Sequence, residues 1–224
     1  MSVLAQRCRE GRPRAVFFIG MALVLSGCTI GSQRSPSDVI ASLRGPDLAA
    51  QAADLPYASL ALDLAGHGGL VVLASQQAST TYWQFRDGAT LALEDGYPVA
   101  SAGLRDELLG TRILDAEGTP PPPYPWRQPG SEVHYRIERQ WQDAEGNLHQ
   151  DSARVALDCA APATVELPLT RRQLARCQET SHWAGGAITE ATLWRDPEDR
   201  RLWAYTGQPW PEAPTLTWQI ARPW

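Results

Sequence analysis

Val133-His134-Tyr135-Arg136-Ile137-Glu138-Arg139-Gln140-Trp141 alternates along its whole length. Period two is the mark of a β-strand, because successive side chains point to opposite faces of a sheet. Turn residues follow at 143–147, and residues 148–157 return, so the pair reads as an antiparallel hairpin. Everything around this hairpin has the same character. Downstream, strands are expected at 163–169, 174–183, 187–195, 200–206 and 215–221, with Asp196-Pro197-Glu198-Asp199 turning between two of them. Upstream, Asp87-Gly88 and Asp95-Gly96 flank residues 89–94, and each supplies the positive φ angles of a tight turn, giving a three-strand meander from Thr80 to about Ala102. Earlier still, 58–64 alternates loosely, His67-Gly68-Gly69 turns, and Leu70-Val71-Val72-Leu73-Ala74 has the look of a buried strand.

Two breaks interrupt the strands. Residues 115–130 contain Pro120-Pro121-Pro122-Pro123 and Pro125, which cannot enter a sheet interior and read as a stiff, extended surface connection. At the other end, Val39, Ile40 and Leu43 recur at helical spacing after a cap at Ser37 or Asp38, Gly45-Pro46 stops them, and a second short helix is expected over 47–53. Helical periodicity is almost absent beyond that point. The fold class is therefore all-β and antiparallel: a barrel, half-barrel or sandwich of about ten to twelve strands, with one or two short N-terminal helices.

The first 28 residues have a different logic. Arg7, Arg9, Arg12 and Arg14 form a basic region, residues 15–24 an apolar one, and Leu25-Ser26-Gly27-Cys28 closes it as a bacterial lipobox. The apolar run falls short of the roughly 20 residues a permanent span needs. Residues 1–27 read as a lipoprotein signal peptide, Cys28 as the lipidated first residue of the mature protein, 28–37 as a flexible tether, and 38–224 as a single periplasmic β domain. Each buried lipid methylene contributes about 0.8 kcal/mol, so several acyl chains anchor far more firmly than one. Thr29 follows Cys28, without the aspartate that retains lipoproteins in the inner membrane of enteric bacteria, which favours the outer membrane.

Every basic side chain is arginine, 20 against 25 acids. With the four Arg and one Glu before Cys28 removed, 16 basic and 24 acidic residues remain, a net charge of −8. Such a surface argues against nucleic acid as a partner and leaves the lipid as the contact with the membrane. Of four cysteines, Cys8 leaves with the signal peptide and Cys28 takes lipid, so Cys159 and Cys177 remain as a disulfide candidate in an exported protein, or as two buried thiols.

No nucleophile motif or phosphate loop occurs, and His67, His134, His149 and His182 lack metal-ligand spacing, so neither catalytic residue, metal nor cofactor is indicated. Glu138, Asp158, Glu179 and Glu190 fall within strands and are expected mainly on wet faces. Tryptophan is abundant, nine residues with six after position 180. Most lie in strands, where core or interface roles outweigh sugar stacking; Trp126 and Trp210, beside prolines in loops, are the better candidates for exposed contact with glycan or a partner.

The order of several short motifs resembles the YjbF/GfcB lipoprotein family, associated with exopolysaccharide and group 4 capsule gene clusters. They are Asp54-Leu55-Pro56-Tyr57-Ala58-Ser59, Val71-Val72-Leu73, Trp83 with Asp87-Gly88-Ala89-Thr90-Leu91, Asp95-Gly96 with Val99-Ala100 and Gly103-Leu104, Leu193-Trp194-Arg195-Asp196, Leu202-Trp203, Gln208 and Ala221-Arg222-Pro223. Tyr97 stands where an arginine is usual, and Tyr205-Thr206-Gly207-Gln208 replaces a serine-containing run. The family has no established catalytic residues, so the resemblance implies a pathway: a non-enzymatic outer-membrane lipoprotein that assists capsule or exopolysaccharide assembly or export, in contact with export proteins or glycan. Two alternatives stand beside it. One is a lipid or lipoprotein carrier, which requires an open apolar cavity along the meander; the other is a glycan-cleaving enzyme, which requires two carboxylates facing each other about 5 to 10 Å apart.

Overall fold

The computed structural model describes residues 46–64 and 67–224; Cys28, the tether at 28–37 and the helix expected over 39–43 lie outside the described residues. Pro46 opens helix α1 (Pro46–Asp54), a position where its missing N–H is no loss, and Asp47 places negative charge at the helix start. At the helix end, Arg222 Nη2 donates to the carbonyls of Ala52 and Ala53, at 3.4 and 3.1 Å.

Thirteen strands follow among the described residues. They are β1 (Ser59–Leu64), β2 (His67–Gln77), β3 (Thr80–Gln84), β4 (Thr90–Glu94), β5 (Tyr97–Ala102), β6 (Glu107–Leu114), β7 (Glu132–Gln142), β8 (Leu148–Cys159), β9 (Ala163–Glu166), β10 (Arg171–Trp183), β11 (Ile188–Arg195), β12 (Leu202–Gly207) and β13 (Leu216–Arg222). All pairings are antiparallel, in the order β5-β4-β3-β2-β1-β13-β12-β11-β10-β8-β7-β6, with β9 alone beside the first part of β10. The ends of this order come back together. At the seam Leu108 N donates to Ser101 Oγ at 2.8 Å, and the sheet forms a nearly closed, barrel-like wall. Pro98, which has no N–H to give, stands in β5 at one edge of the seam, where a sheet tolerates it.

The all-β antiparallel expectation holds, with thirteen strands among the described residues where about ten to twelve were expected. β6 was not anticipated because a bulge between Leu108 and Gly110 shifts its pairing with β7 and breaks the period of two. A second correction concerns Gly68 and Gly69, which pair with Asp63 and Leu62 inside β2 and do not form the turn. The two Asp-Gly turns also differ. Asp95 and Gly96 both have positive φ, 49° and 87°, as a two-residue hairpin turn requires, whereas at Asp87-Gly88 only Gly88 does.

Side chains on the inner face fill the wall. Leu60, Leu62, Trp83, Leu93, Ile137, Leu157 and Trp218 are almost wholly buried. Close packing is enforced at Gly207, opposite Ala191, where a Cβ would lie 2.4 Å from the Ala191 methyl. Along the meander, the apolar pocket between Leu91, Leu108 and Trp210 measures about 20 Å³, roughly one water's probe volume, which leaves no room there for an acyl chain.

Candidate functional site

Glu179 sits inside the wall. On β10 it shares a face with Cys177, Ser181 and Trp183, all buried. Its two oxygens accept hydrogen bonds from different sides: Tyr97 of β5 donates to Oε1 at 2.9 Å, and Tyr135 of β7 donates to Oε2. Arg139, one turn of the β7 pleat beyond Ile137, is also buried and places its guanidinium 5.3 Å from the centre of the Tyr97 ring. Tyr205 of β12 meets Tyr97 edge to face, with ring centres 6.1 Å apart. Burial raises the pKa of Glu179, and burial followed by the Glu179 charge holds Tyr97, Tyr135 and Tyr205 far up as neutral phenols. Three strands, β5, β7 and β10, are thereby tied together at one carboxyl.

The proline-rich connection seals this cluster from one end. After its extended first half the chain forms a short 3₁₀ turn, Pro125–Arg127, that drives Trp126 inward until it is 0% exposed. The indole stacks on Tyr97, with centres 4.7 Å apart and planes within 16°, and carries Tyr124 on its other face at 5.2 Å. Trp126 Nε1 and Arg127 Nε both donate to Asp95 Oδ2 at 2.7 Å, and Arg127 also pairs with Asp95 Oδ1. Tyr124 donates to Glu94, and burial, followed by this hydrogen bond, pushes its phenol up to about 12. From the β11–β12 side, Arg195 donates to the carbonyls of Trp126, Gln128 and Gly130 at 3.0, 3.3 and 3.2 Å. The loop is a plug, latched by charge on both sides.

Trp126 is therefore not an exposed contact, and neither is Trp210. The latter is 6% exposed at the opposite end of the wall, stacked 6.2 Å from Trp141 at the far end of β7. In both cases the neighbouring prolines bend a loop inward, so that the indole covers an end of the core. Eight of the nine tryptophans are buried, which leaves the aromatic surface needed for sugar stacking largely inside. Cys159 and Cys177 stand directly opposite each other on β8 and β10 and form a disulfide.

The four strand carboxylates do not converge. Glu138 is on the outer face of β7 in an ion pair with Arg112 at 3.3 Å, Asp158 and Glu190 are exposed, and Glu179 alone points inward. Burial of Glu179 corrects the expectation of a wet face. Among the described residues no group of three His, Cys, Asp or Glu side chains is arranged to hold a metal.

The family described as group 4 capsule polysaccharide lipoprotein GfcB, YjbF matches residues 45–220. The chain belongs to this family. Among solved structures, the hypothetical lipoprotein YmcC from Escherichia coli (K12) has a similar fold, with a TM-score of 0.67 at 16% identity over 87% of this chain and 99% of that one. No curated protein sequence matches the chain. Membership in a capsule-associated lipoprotein family implies a membrane-anchored role. Within the YjbF/GfcB pattern, the two departures seen in the sequence are neighbours in space: Tyr97 and Tyr205 touch in the buried cluster.

Proposed function

We propose that this YjbF/GfcB protein is an outer-membrane lipoprotein whose periplasmic β domain assists assembly or export of a capsule or other extracellular polysaccharide without catalysing a reaction. Family membership over residues 45–220 carries this reading. The sequence supports the address: a basic and an apolar segment lead to Leu25-Ser26-Gly27-Cys28, and Thr29 follows. Cys28 would carry the lipid, residues 28–37 would act as tether, and 38–224 would stand in the periplasm.

Support for a non-catalytic role comes from the site itself. Of the four strand carboxylates only Glu179 points inward, and it is 4% exposed and bound by two phenols, one of which, Tyr97, is stacked under Trp126. Such a domain contributes position and contact. Deletion of the gene, with secreted polysaccharide measured against the wild type and a complemented strain, tests the reading. Output should fall in the deletion and return on complementation; normal output in the deletion overturns it.

A further inference from the structure

Arg195 and Arg200 line a shallow cleft of about 360 Å³ on the outer side of the plug. It runs from Gly130 and Ser131, past residues 160–162, to Pro197, and its lining contains no carboxylate. Two neighbouring arginines at this end have counter-charges: Arg127 pairs with Asp95, and Arg172 with Asp196 at 3.2 Å. Arg195 and Arg200 form no ion pair among the described residues. Arg195 is 7% exposed and spends two of its nitrogens on backbone carbonyls, while its buried Nε has no partner. Arg200 is half-buried and donates only Nη1, to the Arg127 carbonyl at 3.2 Å. Burial first, and then the Arg200 charge, lower the Arg195 pKa. Two like charges held together without a counter-ion destabilise a fold unless an anion joins them.

We infer that this cleft binds an oxyanion group, a carboxylate, sulfate or phosphate, carried on an acidic glycan. Arg200 supplies the donors that meet the anion, since its remaining guanidinium edge is unoccupied and a planar guanidinium matches an oxyanion in paired hydrogen bonds. Arg195 supplies a fixed positive charge beneath it, held in place by the plug carbonyls. Ser131, exposed at the rim, adds a hydroxyl donor. The assignment of the anion to a glycan rests on the polysaccharide role proposed above.

The test is calorimetric titration of the full-length protein in neutral detergent with hexagalacturonate, with a neutral galactose hexamer and inorganic phosphate as separate probes. Hexagalacturonate should bind, more weakly as salt rises, and the neutral hexamer should not. Arg200→Gln should weaken binding about tenfold, the loss of roughly one charge-assisted hydrogen bond, with Arg200→Lys intermediate. Arg200 is the position to change because removing Arg195 would also release the plug; an unchanged thermal midpoint confirms that the Gln variant is folded. Absence of hexagalacturonate binding, or equal binding by Arg200→Gln, overturns the inference, as does binding of phosphate alone. The two readings fail separately. A deletion that abolishes polysaccharide output in a protein that does not bind the uronate removes the cleft and leaves the export role; binding that depends on Arg200, with normal output in the deletion, removes the export role.

Discussion

Trp126 Nε1 donates to Asp95 Oδ2 at 2.7 Å, joining the proline-rich loop to the β4–β5 turn across 31 residues of sequence. The same carboxylate receives Arg127, so one turn aspartate holds two consecutive residues of the plug. Truncating Trp126 should therefore act as a core mutation although the residue lies in a loop. Trp126→Ala is expected to lower stability by about 3–5 kcal/mol, as deletion of a buried aromatic does. Trp126→Phe keeps the stack on Tyr97 and loses one donor to Asp95, a cost of about 1–2 kcal/mol. Urea unfolding of the two variants checks the order.

Glu179 gives the fold a pH dependence of its own. Its pKa is raised from the ordinary 4.5, chiefly by burial, so the folded protein holds this proton more tightly than the unfolded chain. Stability from this group is then fullest below about 4.5 and declines as pH rises through the higher folded value. Glu179→Gln, which cannot ionise, should show a shallower decline between pH 4 and pH 8 than the wild type. Glu179→Leu should be destabilised at every pH, because two buried phenols lose their acceptor, at about 1–3 kcal/mol each. Denaturant midpoints across that range measure both.

The disulfide between Cys159 and Cys177 closes a loop with a sequence separation of 18. The chain-entropy model gives such a loop roughly 3 kcal/mol. Addition of reductant, or the paired substitution Cys159→Ser with Cys177→Ser, should lower the thermal midpoint, and reductant should have no further effect on the double variant.

Close approach at Gly207 makes a sharp packing test. Gly207→Ala puts a methyl 2.4 Å from the Ala191 side chain and 2.6 Å from its Cα, with backbone that cannot yield as a flexible side chain would. A loss of about 1–3 kcal/mol or more is expected, and Ala191→Gly should restore part of it. A double-mutant cycle reads the coupling.

Part of the wall was legible because β3 and β7 alternate without interruption, whereas β1, β12 and β13 are buried on both faces and read only as apolar runs. Residues 133–141 kept their period, and Asp95-Gly96 gave its turn directly. β6 was hidden by the bulge at Leu108–Gly110, where the sequence changes phase partway through a strand. The plug was hidden for a different reason: prolines mark a segment that cannot join a sheet but do not tell whether it lies on a surface or folds over a core. Only long-range partners, Asp95 and Arg195, decide that for Trp126. For the buried cluster a local signal did exist. Arg139 shares the inward phase of β7 with Val133, Tyr135, Ile137 and Trp141, and a charge on an apolar phase signals a buried partner. Glu179 carries the same signal beside Cys177 and Trp183 on β10. What alternation could not supply is that the two strands meet Tyr97 in the same interior.

Anchorage is where the proposed role is most exposed to test. The direct measurement is secreted polysaccharide from a deletion strain expressing Cys28→Ala at the wild-type protein level, with wild-type complementation alongside. Restored output with the wild type and little or none with Cys28→Ala is the expected result. Full output from the unanchored protein would contradict a role that depends on holding this β domain at the membrane.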